Sequence, residues 1–473
     1  MRGSGLQRTY DHLPPWLQRV GLNAYGVHTR VATARFETLV SRMAPSETWP
    51  VEAQRQYVAD RLRDLLAHAI RHVPRYRGLY RLLPDLCGSN AAVMAVLAEF
   101  PRVTRAEILA DRDAFLSDSF RRRHLVATRT SGTTGTPMET LVERPALRAS
   151  NALWWRRTLW AGHVSGDWTA RLVGDHVVRL DDAAPSRPYR ISHVDRRIYL
   201  STFHLDERAA ATFKSLLEER RPAFLQGYPS ALASLSSLAG ACDERWRPKA
   251  VLYSSEPLYE HQREAVSAFV DAPIRGLYGC AERIVSAAEC EAGALHLSLL
   301  DGYVDGQFED DGSPEAPSVT GLLNRAMPLI RFELGDGLVF RHGAACPCGR
   351  TLPVLEPVVT KMEDSLATPS GRAVSPSALT WALKDLTGVR CSQIVQRPDL
   401  SVDVRVVADS ARAQELEQTL ARRVSRMLFE EVPVRVVFVD DLNVTASGKS
   451  RFVVRELPGG AVARAHEAPL SRG

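Results

Sequence analysis

The chain has 473 residues, of which 45% are hydrophobic and 24% are charged, a composition typical of a soluble protein with two or three folded domains. Its formal net charge of +5 comes mainly from arginines spread along the chain, so charge gives no reason to expect a nucleic-acid partner. No apolar run reaches the roughly 18 residues of a membrane span, and residues 1–10 lack the apolar core of a signal peptide. We therefore expect a cytoplasmic protein without a membrane partner.

The N-terminal part of the chain, residues 1–120, is predicted to be helical. Residues 51–73 and residues 91–100 carry apolar side chains at the spacing of one helix face. Prolines interrupt the pattern between these segments and predict several helices instead of one long one.

After residue 120, short apolar runs alternate with helical patterns. The predicted strands are residues 125–127, 138–142, 170–173, 223–228, 249–253 and 274–278. The predicted helices are residues 146–160, 230–239 and 259–270. Strands that alternate with helices are typical of a layered α/β fold.

A polar connector at residues 360–376, which contains Asp364, is predicted to separate two domains. The elements predicted beyond it are a strand at residues 401–408, a helix at residues 411–428 and a strand at residues 432–439. We therefore expect an α/β fold with a large N-terminal domain, residues 1–363, and a small mobile α+β domain, residues 364–473. The tail is expected to be disordered from about residue 459.

A loop rich in hydroxyl groups follows the first predicted strand and is predicted to bind phosphate. Its residues are Thr130, Ser131, Gly132, Thr133, Thr134 and Gly135. The loop has too little apolar surface to form a core, whereas its backbone N–H groups and hydroxyls can surround a polyanion. The alternative is a flexible surface linker. It is not a Walker loop, because no lysine follows Gly135 and the later Gly448-Lys449-Ser450 lacks the upstream glycine.

Polar residues at the ends of later strands are candidates for a ligand site, since ligands bind at the carboxyl ends of strands in open α/β sheets. The candidates are Ser230, Ser254, Ser255, Glu256, Pro257, Tyr278, Gly279, Glu282 and Asp336. Glu282 offers oxygen ligands for a hard cation, and the Asp336 carboxylate is suited to ribose hydroxyls. Each segment also has a purely structural interpretation as a turn or a helix start, with Ser230 as a helix N-cap.

Three cysteines and one histidine form a candidate metal site, made of Cys290, His296, Cys346 and Cys348. Three thiolates and one imidazole are the ligands of a closed tetrahedral zinc site, which has a structural role. The alternative is four unrelated residues, but the close spacing in Cys346-Pro347-Cys348 favours a metal. Seven cysteines are an odd set that argues against a disulfide framework, and the remaining ones predicted to lie in the core are Cys87, Cys242 and Cys391.

In this order, these segments resemble the adenylate-forming enzymes, and among them the phenylacetate–CoA ligase-like family with its branch of capsule-biosynthesis ligases and coenzyme-adenylylating synthetases. The motifs that carry the resemblance are the hydroxyl-rich loop, Gly-Tyr-Pro-Ser, Ser-Ser-Glu-Pro-Leu, Tyr-Gly-x-x-Glu, Gly-Asp, Cys-x-Cys-Gly-Arg and Ser-Gly-Lys. They lie between residues 50 and 455. The resemblance implies a large domain of the acyl-CoA synthetase type and a small mobile lid that turns at Asp364, and the matching branch carries a zinc site.

The resemblance also implies catalytic and nucleotide-binding residues. Glu282 would bind Mg²⁺, and Lys449 would approach the attacking carboxylate and the α-phosphate of ATP from the lid, where its charge offsets the repulsion between two anions. The residues implied to contact ATP are Thr130, Ser131, Gly132, Thr133, Thr134, Gly135, Ser254, Ser255, Glu256, Pro257, Tyr278, Gly279, Asp336 and Lys361. The chain departs from the family at Ala281, where a hydroxyl residue is usual, and at Lys361, where an arginine is usual.

We therefore expect an AMP-forming ligase that uses ATP, Mg²⁺ and a structural Zn²⁺. It would activate a small aryl or otherwise hydrophobic carboxylic acid and transfer the acyl group to coenzyme A, with an amine or a carrier protein as alternative acceptors. Two other functions stay open, adenylylation of a phenol or another non-carboxylate nucleophile and nucleotide binding by a catalytically weak homologue. A homodimer is one option for the oligomeric state. Residues that fit either the acid pocket or the core are Trp154, Trp155, His163, Phe203 and Tyr228.

Overall fold

A computed structural model describes the chain at residues 15–129, 138–175, 177–178, 182, 185–308, 317–334, 336–341, 345–356, 366–370, 373–374, 379, 382, 386, 389–408, 413–440 and 452–456. These residues fall into two compact units, a larger one between residues 15 and 356 and a smaller one between residues 366 and 456. The boundary predicted after residue 363, the hinge at Asp364 and the disordered tail lie outside the described residues and stay predictions. No helix of the described part is long and apolar enough to cross a membrane.

The larger unit contains eight α-helices among its described residues. They are α1 (Pro15–Met43), α2 (Val51–His72), α3 (Asn90–Glu99), α4 (Arg105–Ala110), α5 (Arg144–Trp160), α6 (Glu207–Arg220), α7 (Pro229–Ala239) and α8 (Glu260–Phe269). Short 3-10 helices lie at Ala44–Thr48, Pro74–Leu82, Pro84–Cys87, Asp113–Phe115, Arg122–His124 and Thr202–His204. The helical prediction for the first 120 residues is therefore confirmed wherever the structure describes them.

The strands of the larger unit form one long sheet and two hairpins. They are β1 (Leu125–Arg129), β2 (Glu139–Glu143), β3 (Thr169–Leu172), β4 (Tyr189–Ser192), β5 (Arg197–Leu200), β6 (Phe224–Gly227), β7 (Ala250–Ser254), β8 (Ile274–Gly279), β9 (Ser286–Glu289), β10 (Leu295–Leu297), β11 (Gly302–Val304), β12 (Val319–Gly321), β13 (Phe340–Arg341) and β14 (Val354–Leu355). The long sheet has the order β13-β14-β10-β9-β8-β7-β6-β3-β5-β4, while β1 pairs with β2 and β11 with β12. Its central strands, β5, β3, β6, β7 and β8, are parallel, and the strands outside them are antiparallel.

Three strands of the parallel part, β5, β6 and β7, are each followed by an α-helix before the next strand, as in β6-α7-β7-α8-β8. Helices α6, α7 and α8 pack on one face of this part around Phe213, Leu232 and Val251. A second core joins α2 and α3 to the strands after β8, and α2 contributes Leu62 and Leu66 on one face. Because all the central strands run the same way, their carboxyl ends share one edge of the sheet.

The elements predicted between residues 125 and 278 are confirmed to within two residues at each end. The short antiparallel strands from β9 to β14 were not predicted, because two to four residues carry too little pattern to be detected. The interpretation of Ser230 as an N-cap is wrong, since α7 begins at Pro229 and Tyr228 is its N-cap. The prediction of a core position for Cys87 is also wrong, because this residue is exposed at the end of a short 3-10 helix.

The smaller unit contains a four-stranded sheet and one described α-helix. Its elements are β15 (Leu366–Ala367), β16 (Ala373–Val374), β17 (Val389–Gln396), β18 (Val402–Ala408), α9 (Ala413–Met427), β19 (Val434–Phe438) and β20 (Val453–Arg455). The sheet has the order β19-β18-β17-β20, in which β18 and β19 are parallel and α9 crosses between them. The predicted α+β arrangement is confirmed, whereas β17 was not predicted.

Candidate active site and Cys/His cluster

The segments that follow β6 and β7 are joined at the carboxyl edge of the sheet. Ser254 ends β7, and Ser255 adopts a φ of +74°, a left-handed conformation that residues other than glycine rarely take. Such backbone strain is found at ligand sites more often than elsewhere. The Glu256 carboxylate accepts a hydrogen bond of 3.1 Å from the backbone N–H of Ser230, near the start of α7. Two predicted ligand segments are therefore tied together by one buried contact.

Tyr278 is the second-last residue of β8, and its side chain is hydrogen-bonded to Asp336. The Tyr278 hydroxyl donates a hydrogen bond of 2.9 Å to Oδ2 of Asp336. Burial raises the pKa of Tyr278 well above its ordinary value, and the Asp336 charge raises it further. The phenol therefore stays protonated and holds the orientation of the carboxylate that was predicted to bind ribose.

Glu282 lies in the turn that follows β8. The turn is closed by a hydrogen bond of 3.1 Å from the backbone N–H of Arg283 to the carbonyl of Cys280. The Glu282 side chain is 10% exposed, and Oε1 lies 3.9 Å from Nη1 of Arg105 at the start of α4. Burial lowers the pKa of Arg105, and the charge of Glu282 opposes that effect. We call residues 254–257, Tyr278, Glu282 and Asp336 the strand-edge site.

One face of helix α5 lies against this edge. Trp154 packs against Gly279, where an added Cβ would lie 3.2 Å from Cζ2 of the indole. The Arg283 guanidinium lies 4.5 Å from the Trp154 ring centroid and donates a hydrogen bond of 2.8 Å to Oδ1 of Asn151. Arg157 reaches the end of β7, where it donates a hydrogen bond to the Tyr253 carbonyl. Helix α5 therefore supplies side chains to the ends of both β7 and β8.

The other residues considered for an acid pocket have different surroundings. Trp155 packs edge-on against His163 with 5.2 Å between ring centroids, and His163 lies 5.7 Å from the ring of Phe224. Phe224 begins β6, so Trp155 and His163 pack at the amino end of that strand, away from the strand-edge site. Tyr228 directly follows β6 as the N-cap of α7.

Several predicted site residues lie outside the described residues, and their roles stay predictions. They are Thr130, Ser131, Gly132, Thr133, Thr134, Gly135, Lys361 and Lys449.

The three cysteines and the histidine predicted to bind zinc are brought together by β9, β10 and the loop before β14. We call Cys290, His296, Cys346 and Cys348 the Cys/His cluster. All four candidate ligand atoms lie within 4.8 Å of one another. Sγ of Cys290 is 3.7 Å from Sγ of Cys346, and Sγ of Cys348 is 3.3 Å from Nε2 of His296. Bonds of about 2.0 to 2.3 Å in a tetrahedron give such separations, so the donor set fits a zinc ion.

Hydrogen bonds around the cluster orient its ligands. Nδ1 of His296 donates a hydrogen bond of 3.1 Å to the Leu352 carbonyl, which leaves the lone pair of Nε2 directed at the cluster. Burial lowers the pKa of His296 and favours the neutral imidazole that a metal requires. Gly349 follows Cys348 with a φ of +79° and donates its N–H to the Cys346 carbonyl at 3.0 Å, which closes a tight turn.

The charged residues beside the cluster are paired. Arg350 donates a hydrogen bond of 3.1 Å to Glu47 and one of 2.7 Å to Glu291, and its guanidinium lies 4.1 Å from the Trp160 ring centroid. The Trp160 indole N–H donates to Glu47 at 3.1 Å. Arg156, from α5, lies 4.0 Å from Glu47. The cluster is therefore connected to α5 and to the chain before α2 by balanced charges.

Comparisons with known proteins agree with the fold and the motifs. A family model described as the CapK C-terminal domain matches residues 366–456. The phenylacetate–coenzyme A ligase of Thermus thermophilus is 27% identical over 355 residues, which cover 68% of this chain and 73% of that protein. By these comparisons the chain is similar to the phenylacetate–CoA ligase-like adenylate-forming enzymes. This agrees with the predicted resemblance and with the predicted enzyme class, an AMP-forming ligase.

Solved structures of this fold extend the comparison to nearly the whole chain. A 2-hydroxyisobutyryl-CoA ligase in complex with 2-HIB-AMP and CoA is 19% identical, covers 87% of this chain and 91% of its own, and has a TM-score of 0.52. The same ligase in its postadenylation state with R3-HIB-AMP is 18% identical at the same coverage, with a TM-score of 0.51. These likenesses confirm the predicted fold class.

Three arginines at the strand edge of this ligase-like protein were not predicted as site residues. Arg105 follows Thr104, which forms a capping box with Glu107, and that sequence pattern alone would have placed Arg105 at a helix start. Arg283 directly follows Glu282, so adjacency to a predicted ligand was the available signal. Arg157 has no such signal, because an arginine inside a helix gives no indication of the side to which it points.

Proposed function

We propose that the protein adenylates a carboxylic acid with ATP and Mg²⁺, releases pyrophosphate, and transfers the acyl group to coenzyme A. The observation that carries this proposal is the strand-edge site, where motif residues at the ends of the paired strands β7 and β8 lie together with Asp336. Its contacts, Glu256 with Ser230 and Tyr278 with Asp336, support a nucleotide site at the position where open α/β sheets bind ligands.

Each member of the strand-edge site has a role in this proposal. Residues 254–257 would enclose adenine, and Asp336 would accept hydrogen bonds from the ribose hydroxyls. Glu282 would supply an oxygen ligand to Mg²⁺, which offsets the charge that develops on the pyrophosphate leaving group. Lys449 would place an ammonium between the acid carboxylate and the α-phosphate, two anions that otherwise repel each other.

Relatives support coenzyme A as the acceptor. The Thermus thermophilus protein is named a phenylacetate–coenzyme A ligase, and the 2-hydroxyisobutyryl-CoA ligase was solved with both an acyl-adenylate and CoA. An amine or a carrier protein as the acceptor, a phenol as the nucleophile, and a catalytically weak homologue are the alternatives. An aryl or hydrophobic acid is the substrate expected from the resemblance.

For the Cys/His cluster, we propose a structural zinc ion. The four side chains would complete a tetrahedron and leave no coordination position for a substrate, so the ion would join the loop before β14 to the β9-β10 hairpin. The paired arginines around the cluster support this role, since a closed site surrounded by balanced charge has no group free for chemistry.

Pyrophosphate release, measured over a panel of acids and phenols with and without coenzyme A, tests the proposed activity. We expect release with acids and thioester formation with coenzyme A. Release without a thioester would indicate another acceptor, and release with phenols alone would indicate another nucleophile. Nucleotide binding without release would indicate the weak homologue. Lys449→Ala should abolish release, whereas Lys214→Ala, at one of the other four lysines, should not.

A further inference from the structure

Arg157 is a buried cation without a negatively charged partner in the described part of the chain. Its surface is 4% exposed, and its hydrogen bond goes to the neutral carbonyl of Tyr253. Burial, together with the positive charge of Arg171, lowers the pKa of Arg157 to about 9, so the guanidinium is still charged at neutral pH. Buried arginines are almost always paired, because an unpaired buried charge is costly.

The charged group that most affects Arg157 is a second arginine, Arg171, which has its own carboxylate partner. Arg171, from β3, donates a hydrogen bond of 3.1 Å to Asp175 and one of 3.2 Å to the side-chain oxygen of Gln226. The Asp175 carboxylate is therefore used by Arg171, and its charge contributes to a raised pKa for that arginine despite burial. Arg157 and Arg171 together leave one positive charge uncompensated between α5 and the sheet.

The position of Arg157 places this charge at the edge where substrates bind. Its partner Tyr253 immediately precedes Ser254 of the strand-edge site. On the same face of α5, one turn earlier, the indole N–H of Trp154 is buried and has no hydrogen-bond partner among the described residues. Two hydrogen-bond donors, the charged Arg157 guanidinium and the unpartnered Trp154 indole N–H, thus lie next to the segment that we propose binds the nucleotide.

The neighbouring space is filled in a way that limits substrate size. Trp154 lies against Gly279, and the Arg283 guanidinium covers the indole ring at 4.5 Å. Arg283 is held in place by Asn151 and by Ser150, with a distance of 3.2 Å to the Ser150 hydroxyl. This stack of side chains lies between α5 and the end of β8, on the same helix face as Arg157, and leaves less room there for a broad aromatic acid than for a compact acid.

We propose that the acid activated by this protein is a compact dicarboxylic acid, and that Arg157 binds its second carboxylate. The inference rests on the proposed adenylation. One carboxylate attacks the α-phosphorus and displaces pyrophosphate, while the other stays anionic and accepts two parallel hydrogen bonds from the Arg157 guanidinium. The Trp154 indole N–H donates to the same carboxylate. Arg157 thereby acts as a specificity residue, and the substrate supplies the counterion that the described residues do not provide.

The test compares diacids with monoacids of equal chain length in the pyrophosphate-release assay. The panel is malonate, succinate, glutarate and adipate against propionate, butyrate, pentanoate and hexanoate, together with the monoamide of each diacid. We expect the unmodified protein to prefer one of the shorter diacids. Arg157→Gln should reduce the ratio of kcat/KM for that diacid over its monoacid about 100-fold, because a charge-assisted pair is lost. Arg148→Gln, on the exposed side of the same helix, should leave the ratio unchanged.

Several outcomes would overturn the inference. A preference for monoacids or aryl acids in the unmodified protein would do so, and so would an Arg157→Gln variant with an unchanged ratio. An equal rise in the KM for ATP with every acid would assign Arg157 to the nucleotide instead. If Arg157→Gln does not fold, the monoamides provide the test in the unmodified protein. A monoamide that reacts as well as its diacid would show that the second carboxylate does not need a negative charge, which contradicts the inference.

A binding measurement separates this inference from the proposed function. Without nucleotide, the preferred diacid should raise the thermal midpoint of the unmodified protein and of Arg148→Gln, but not that of Arg157→Gln. If no acid releases pyrophosphate while this selective stabilisation persists, the adenylation proposal fails and the anion site remains. If no diacid stabilises any variant and none releases pyrophosphate, both fail.

Discussion

Arg156 and Arg157 are neighbours on α5, both are buried, and they face two different regions of the molecule. Arg156 is directed at the surroundings of the Cys/His cluster, where it lies 4.0 Å from Glu47 and 4.7 Å from the Trp160 ring centroid. Arg157 is directed at the strand-edge site, where it contacts a carbonyl and no described carboxylate. A region with a structural role balances its own charges, whereas a region that binds a ligand keeps a charge for that ligand.

The same contrast holds for the groups around the two arginines. Beside the cluster, Arg350 has two carboxylate partners, Glu47 and Glu291, and every candidate metal ligand faces another one. At the strand edge, Trp154 keeps a buried N–H without a described partner, and Ser255 holds a strained backbone conformation. Unmet hydrogen bonding and backbone strain have to be offset by other interactions, and a ligand bound at this edge would do so for the Trp154 N–H and for Ser255.

Removal of one ligand from the Cys/His cluster should have the largest effect, and it tests the structural role of the cluster. Cys346→Ser should release the zinc ion and lower the free energy of unfolding by at least about 4 kcal/mol, since binding of a structural metal contributes directly to folding. Metal analysis and urea unfolding with and without a chelator provide the measurements. Cys87→Ser, at an exposed cysteine outside the cluster, should change neither. A protein that contains no zinc and is insensitive to the chelator would contradict the assignment.

Neutralising the Glu282 carboxylate tests the proposed ligand-binding role of the strand-edge site. Glu282→Gln should lower the rate of pyrophosphate release about 100- to 1000-fold, because a preorganised charged ligand of the reaction is lost. The concentration of Mg²⁺ needed for half-maximal rate should rise, while the thermal midpoint should stay nearly constant. Glu264→Gln, on the exposed side of α8, is the matched control. A slower rate with an unchanged Mg²⁺ requirement would remove Glu282 from the metal site.

The two adjacent arginines should differ in their effect on stability. Arg156→Gln should lower the free energy of unfolding by about 3 kcal/mol, because it removes a buried cation from Asp301 and from Glu47, of which only Glu47 keeps a second partner in Arg350. Arg157→Gln should change the free energy of unfolding by less than about 1 kcal/mol, since it removes a charge that has no carboxylate partner among the described residues. Urea unfolding of both variants measures the difference. Equal losses would mean that Arg157 has a structural role after all.

Asp301 gives the smallest expected effect, a dependence of stability on pH from the cluster side of α5. Burial raises the pKa of Asp301 to about 6 in the folded protein, against about 4 in an unfolded chain. Between these values the folded state holds a proton that the unfolded state has released. Stability should therefore fall as the pH rises through this window and then level off. Asp301→Asn cannot release this proton, so its stability relative to the unmodified protein should increase across that window and nowhere else.

Much of the larger unit was predictable from the sequence because its elements are long enough to show a period. The helix α2 and the parallel strands β6, β7 and β8 were located by their apolar spacing, and the glycine and proline residues after them placed their ends. The strands β9 to β14 were missed, although β10 carries His296 and the segments next to β9 and β14 carry the three cysteines of the Cys/His cluster. Their two to four residues are stabilised by neighbouring strands and by the core, which no local pattern records.

The sequence by itself determined the resemblance to a family, the class of chemistry and the identity of the four candidate zinc ligands, because each depends on residue types in a fixed order. Only the tertiary structure decided that Tyr278 bonds to Asp336, that Arg105 approaches Glu282 and that Arg157 points to the strand edge while Arg156 points to the cluster. Those facts depend on contacts between residues far apart in the chain and on the direction in which a helix presents each side chain. Helical rotation of about 100° per residue sends two identical neighbours into different surroundings, and that difference appears only when the helix has a sheet to pack against.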